Sequence, residues 1–417
     1  MGVAVHVGTR ADPLAIAAGG TRYWANAGDL TTEAYRQIDW AVAGTFSNLR
    51  VRVTVNAATA SSSVTLRKNG ADTALTLTVG AGQTGVFEDA TNSVSVVAGD
   101  DVHNQIIVGT GGDISVDLVA SLFTNTDGVF CFQQTCAAVS LTVASQTAYM
   151  VINGRLASGQ TGESNQQELI RSSIVASRFQ MHVSANARTT NTTFRTRVNT
   201  ANGAQSVVVG SGQTGRFVDT TNTDTLVDSD LYCFQYVTGT GTQTLTVHML
   251  AVGFQTATNW QELIVGNAAG LPYTNNDETI FLKPVGDLGF TTPVTDETNR
   301  KMALDKITAV SNLRIRLNAN ARAVTQTCTL RKNGADTSQT VSIGASQTGT
   351  FEDTSTVTDV DVADEIAIAV ATGVSASSAT IKWAGLTMRD VGLPPNSRNR
   401  RRRRHHRRPG RNQSMAV

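Results

Sequence analysis

The sequence predicts an all-β protein: three tandem antiparallel β-sandwich, jelly-roll-like domains followed by a disordered basic C-terminal tail. Three observations carry this. The octapeptide LRKNGADT stands at 66–73 and again at 330–337. The segments around it alternate apolar and polar residues with period two, the mark of a half-buried strand. Turn signals recur roughly every 8–12 residues, the spacing of strands in sandwiches and barrels. Composition agrees: 40 % hydrophobic with 36 Gly and only 7 Pro suits strands joined by tight turns.

The repeat extends beyond eight residues. SNLRVRV (47–53) matches SNLRIRL (311–317), and GAGQTGVFED (80–89) matches GASQTGTFED (344–353), at a constant offset of 264. A more diverged copy lies between them: GSGQTGRFVD (210–219) comes 130 residues after the first and 134 before the third. Asn56, Asn186 and Asn320 align, as do Phe87, Phe217 and Phe351, and Asp89, Asp219 and Asp353. Each copy closes on an apolar run, at 114–123, 245–254 and 379–388. A period near 130 is domain-sized, too long for a solenoid unit that cannot bury its own core. The expected domains are 1–125, 126–256 and 257–390, with the tail at 391–417.

Within a copy the elements follow in order. TRYWANAG, TAYMVING and TIFLKPVG each read as a short opening strand ending in Gly. DLTTEAYRQIDWAVA (29–43) and ESNQQELIRSSIVA (163–176) have room for a short helix, though strand is favoured. LRVRVTV then alternates, with Leu49, Val51, Val53 and Val55 on one face and Arg50, Arg52 and Thr54 on the other. Asn69-Gly70 and Asn333-Gly334 supply the two positive-φ residues of a type I′ hairpin turn. Copy two reads RVNTANGAQ there, so its turn is expected to shift to Asn202-Gly203 and lengthen. The G-x-x-Q-T-G stretches, with Gln83, Gln213 and Gln347 at their polar tips, read as tight connections and as a candidate contact surface between subunits. The aligned Phe and Asp read as a core ring and a turn cap.

The formal charge of +1 hides a split. The segment 396–417 holds nine arginines and no acid: Arg398, Arg400, Arg401, Arg402, Arg403, Arg404, Arg407, Arg408 and Arg411. Without those nine, 25 basic side chains face 33 acidic ones, a body near −8. These arginines are candidates for binding a polyanion or an acidic surface. No aromatic is interleaved, so nucleic-acid contact would be nonspecific. A solvated tail and docking on an acidic protein surface, including neighbouring copies of the body, are the competing readings.

Chemistry finds little support. None of the HExxH, GxSxG, GxxxxGK[ST] or GxGxxG patterns surrounds a nucleophile or any of the six histidines, so no catalytic residue and no cofactor is expected. His182 and His248 read as surface or edge residues of strands. The acidic runs 219–230 and 358–365 offer oxygen ligands to Ca²⁺ but lack an organising motif. They read as solvated loops, with no metal. Cys131, Cys136, Cys233 and Cys328 match no zinc spacing and read as buried free thiols, which suits folding in a reducing compartment. The first 20 residues lack the form of a secretory signal, and no window approaches a transmembrane span, so no membrane partner is expected.

Tandem units carrying SNLRVRV, TLRKNGADT and GQTGxFEDxTNxVxVxxGD resemble uncharacterised jelly-roll modules of tailed-bacteriophage virion proteins, over about residues 20–390. The resemblance implies a non-enzymatic structural protein located in the virion and made in the host cytoplasm. It implies a capsid decoration, head fibre or tail appendage, homo-oligomeric with a trimer favoured, whose partners are itself and a capsid shell. The arginine tail is not part of that pattern, so a purely exterior role does not account for it. Two other readings stand beside this one. A host-glycan-binding appendage would show exposed aromatics, of which Trp24, Trp40, Trp260 and Trp383 are the few indoles. A shell or filament subunit would use the tail to contact nucleic acid.

Overall fold

The computed structural model describes residues 2–25, 28–256, 260–287, 293–303, 308–362 and 364–390; the arginine-rich segment lies outside them. In the first copy the principal strands are β1 (Gly2–Ile16), β2 (Thr21–Ala25), β3 (Gly44–Asn56), β4 (Ser62–Lys68), β5 (Ala71–Val79), β6 (Gly85–Val96), β7 (Asp101–Ile107) and β8 (Ile114–Asn125). They form two antiparallel sheets, ordered β1-β8-β3-β6 and β2-β7-β4-β5. Strands 1, 8, 3, 6 facing strands 2, 7, 4, 5 is the doubled Greek key of a jelly roll. Copy two repeats the order, with its sixth strand split into Gly215–Val218 and Thr223–Leu226; copy three repeats it from Trp260–Tyr273 to Ala379–Asp390. Among the described residues, no helix is long and apolar enough to cross a membrane.

Each unit opens one strand earlier than its repeated sequence suggests. β1, Val129–Leu141 and Trp260–Tyr273 share no motif, yet each pairs along the last strand of its own unit. Each also shifts register at an equivalent place, between Thr9 and Leu14, Cys136 and Val139, and Gly266 and Leu271.

Where a short helix had room, a single 3-10 turn forms: Glu33–Tyr35, Glu163–Asn165 and Glu297–Asn299. Its first residue explains the Arg of LRKNG. Glu33 accepts from Arg67 at 2.7 Å, Glu163 from Arg197 at 2.8 Å and Glu297 from Arg331 at 3.0 Å. The same guanidinium reaches the carbonyl in the hairpin turn, at Gly70, Thr200 and Gly334.

The turn of copy two is neither displaced nor lengthened. It sits at Asn199-Thr200, in register with Asn69-Gly70 and Asn333-Gly334. Register is held from outside the turn: Asn199 donates to Asp230 at 2.6 Å and accepts from the Leu231 amide at 2.9 Å, as Asn69 does with Asp100 and Asp101. Gly203 lies inside the following strand instead, where a Cβ would meet Thr196 Oγ1 at 2.3 Å. Thr200 therefore occupies φ +70°, a region that costs an L-residue about 1–2 kcal/mol. Thr200→Gly should stabilise the chain by about 1 kcal/mol, read as a rise of a few degrees in Tm. An unchanged or lower Tm would refute the strain.

The alternation in β3 holds for Leu49, Val51 and Val53 and fails at Val55, which is 56 % exposed. A bulge against β8 intervenes: Val53 faces Val116 but Val55 faces Ser115. The opposite face of β3 is also not solvated, since Arg50 is buried and Arg52 meets a neighbouring unit.

Candidate functional site

The sequence-derived candidates resolve into local structure. Asn56 donates to the Gly80 and Gln83 carbonyls at 3.0 and 2.8 Å, and Asn186 and Asn320 make the same pair of bonds. Gln83, Gln213 and Gln347 fold back so that Oε1 accepts from the amide of Gly80, Gly210 or Gly344. A Cβ at Gly80 would sit 2.6 Å from that oxygen, which is why glycine opens the motif. The tips are exposed, but their glutamine oxygens are spent on the turn.

The aligned aspartates cap turns. Asp89 accepts from the Thr91 and Asn92 amides, Asp219 from Thr221 and Asn222, and Asp353 from Ser355 and Thr356. Burial opposes the charge on Asp89, but these donors outweigh it and hold the carboxyl at about 2. The aligned phenylalanines are half-buried and pack on the rim of each core. In the run 219–230, Asp219, Asp224, Asp228 and Asp230 are all engaged by amides, hydroxyls or Arg171. Among the described residues no group of three or more His, Cys, Asp or Glu is placed to hold a metal ion. Cys233 and Cys328 are buried free thiols, and Cys131 is buried with its sulfur accepting from Gln133; the Cys136 side chain lies outside the described residues.

The polar chemistry gathers elsewhere, at three equivalent junctions between units. Between units one and two, the Tyr35 ring stacks on His248 at 4.2 Å and tilts against His182 at 4.8 Å. Arg36 donates to the His248 carbonyl, Gln180 exchanges two bonds with the Asp39 backbone at 2.9 and 3.0 Å, and Arg178 pairs with Asp39. His182 and His248 are thus buried contact residues, not surface or edge residues. The strand pattern alone does not reveal a neighbouring unit lying on that face. Burial, and then the Arg36 and His182 charges, push His248 down to about 4.

Between units two and three, Gln166 donates to the Ala268 carbonyl at 3.2 Å and Trp383 donates its indole N–H to Gln167 at 2.9 Å. The Arg171 amide and Ser172 hydroxyl donate to Glu262, which also pairs with buried Arg314. Between units three and one, Lys283 donates to the Asp117 carbonyl at 2.9 Å and carboxylate at 3.2 Å, beside the Arg52–Asp117 pair. Gln261 exchanges two bonds with the Val5 backbone.

These contacts occupy matching positions. Arg36, Gln166 and Arg300 are equivalent after each 3-10 turn, and all are buried. Asp117, His248 and Lys382 are equivalent on the three last strands, next to Arg52, His182 and Arg316. Apolar packing follows the same cycle. Phe130, Phe132, Met249 and Ala251 join the core of unit one, Ile264 joins unit two, and Val5, Leu118 and Ala120 join unit three. Unit one docks on two, two on three, and three back on one, so the chain closes a pseudo-threefold ring. The two-residue strand 154–155 runs parallel to both Val129–Leu141 and Trp260–Tyr273 and carries one sheet across the second junction.

No family model and no curated protein matches the chain. Among solved structures it is similar to a chain from the triple jelly-roll fold and turret assembly in an archaeal virus, with 12% identity over 92% of this chain and 90% of that one and a TM-score of 0.22. It is also similar to a chain of Sulfolobus turreted icosahedral virus, with 12% identity over 86% and 83% and a TM-score of 0.17. A third is the insecticidal delta-endotoxin Cry8Ea1 of Bacillus thuringiensis, with 10% identity over 61% and 60% and a TM-score of 0.16. The jelly-roll assignment rests on the strand order of this chain itself.

Proposed function

We propose that the chain is a non-enzymatic structural protein of a virus particle, a single-chain three-lobed ring that decorates or projects from a phage capsid. The closed ring is the observation that carries this. The buried polar groups at its three junctions dock unit on unit, and its sequence resembles phage virion modules. The ring supplies within one chain the threefold contacts that a homotrimer would make between chains. This replaces the expected trimer with one chain as the building unit. The glycan-binding alternative has a poorer cue, because Trp24, Trp40 and Trp383 are fully buried and Trp260 is half-buried, with Arg389 over its ring.

Light scattering of the nuclease-treated full-length protein should give one chain of 44.0 kDa. A discrete three-chain species would overturn the single-chain unit. Antibody against the ring should label purified particles from the producing lysate; label confined to the soluble fraction would overturn the virion role.

A further inference from the structure

Of the three junctions, one is built on a pair of imidazoles. His248 and His182, both from unit two, lie against the Tyr35 ring, which unit one presents at the end of its 3-10 turn. His248 Nε2 sits 2.9 Å from Ser184 Oγ. Among the described residues, the Nδ1 atoms of both histidines are buried and have no hydrogen-bond partner. A neutral imidazole can leave the proton off Nδ1. A protonated one carries N–H on both nitrogens and so buries a donor with nothing to receive it.

The surrounding charges also disfavour an imidazolium. Arg36 reaches the His248 carbonyl from the turn, Arg178 pairs with Asp39, and Arg216, the strand neighbour of His182, pairs with Asp39 and Asp101. Three guanidiniums thus stand with two carboxylates. Glu33, on the turn with Tyr35, is engaged by Arg67 and by His103. The Tyr35 face attracts a charged ring. Burial opposes charge at both histidines and lowers His182; burial, then Arg36 and His182, hold His248 at about 4.

We propose that mild acid opens the ring at this junction: protonation of His182 and His248 parts unit one from unit two while the other two junctions hold. The others lack the trigger. Between units three and one, burial opposes the charge on Asp117, but Arg52 and Lys283 keep it below the usual carboxylate range, and Lys283, at about 7, already carries its proton in mild acid. Between units two and three, Arg314 pairs with Glu262; burial and then Arg316 draw Lys382 only to about 8, and burial keeps Glu168 protonated. At the imidazole junction the sign is opposite to that of a salt bridge gaining strength in acid. The folded histidines lie below the 6.5 of an exposed ring, so the closed junction binds fewer protons. Closure is at full strength above pH 6.5 and weakens as pH falls toward 4. From His248 alone, the opening equilibrium should rise about 40-fold between pH 6.5 and 4.5. Opening bares Phe130, Phe132, Met249 and Ala251, the unit-two residues that pack in the core of unit one. The device is a property of the ring and does not depend on a virion role.

Hydroxyl-radical footprinting of the full chain between pH 7.5 and 4.5 tests it. Label at Tyr35, Phe132 and Met249 should rise below pH 6 and fall again on return to pH 7.5. Label at Trp383 and Leu118, which mark the other two junctions, should stay constant. His182→Gln combined with His248→Gln should remain closed at pH 4.5. His6 and His103, also at about 4 chiefly through burial, lie inside unit one; acid opening that persists in the double variant would assign the response to them and overturn the proposal. Should the double variant not fold at pH 7.5, the wild-type pattern decides alone. No rise at Tyr35 by pH 4.5, or an equal rise at Trp383 and Leu118, would overturn the proposal.

Discussion

Asp117→Asn should open the ring between its third and first units. The Asp117 carboxylate is fully buried and accepts from Arg52 Nε at 2.8 Å and from Lys283 at 3.2 Å. A neutral amide takes from the Arg52 guanidinium and the Lys283 amine the carboxylate that both contact. Removing one partner of a buried ion pair costs about 3–5 kcal/mol. The pH dependence fixes the sign. Burial draws Lys283 down to about 7; Asp117 is the influence that raises it, while Arg52 and Arg300 lower it further. Its folded pKa lies below its unfolded value, so the native state binds fewer protons and stability falls as pH drops from 10.5 toward 7. Without the carboxylate the lysine pKa falls further, so the deficit of the variant should widen between pH 8 and pH 6. Hydrogen exchange should rise in β1 and around residue 283, and remain near wild type at the His182–His248 junction. Lys283→Met added to Asp117→Asn should recover part of the loss, since it removes the desolvated amine. Equal exchange at both junctions, or a stability change under about 0.5 kcal/mol, would refute the assignment.

The junctions also mark the boundary of what sequence alone conveys. The strands bearing LRVRV, LRKNGADT and QTGxFED were readable because each satisfies a local rule: period two, positive-φ Asn-Gly, and a self-capping aspartate. β1 and its counterparts obey no shared motif. Their identity is set by pairing with strands about 100 positions or more away in sequence, such as β8. The ring was hidden more deeply. Asp117, His248 and Lys382 occupy one structural position with three different chemistries, so aligning the copies dilutes the signal. That divergence has a physical use, because a lysine matched to an aspartate does not fit a histidine–tyrosine stack, and each unit has one proper neighbour. The error at Asn202-Gly203 has the same root. A local Asn-Gly preference lost to long-range register held by Asp230 and Leu231.

A position that alignment passed over should produce the second large effect. Ala58, Arg188 and Arg322 are equivalent, each following the aligned asparagine by two residues. In unit two, Arg188 is buried and its guanidinium donates to five carbonyls: Leu141 at 3.1 Å, Gln243 at 2.8 Å, Val143 at 3.1 Å, Gly239 at 3.3 Å and Gly241 at 2.6 Å. Arg322 gathers the Asn275, Thr372, Gly373 and Ser377 carbonyls in the same way. One side chain thus ties together the connections at one end of its sandwich, where glycine-rich backbone has no ladder to pair with. Arg188→Met keeps the aliphatic packing and strands those carbonyls. A hydrogen bond to a charged group contributes about 1.5–3 kcal/mol and buried acceptors left unsatisfied cost more. A loss of about 4 kcal/mol is therefore expected even after water enters. Arg188→Lys should recover little, because a compact ammonium with three donors cannot span carbonyls arrayed around a planar fork. Denaturant titration would show an early transition confined to unit two, accompanied by exchange at the amides of 239–243. Full stability of the lysine variant would mean that charge alone, and not the fork, holds this end of the sandwich together.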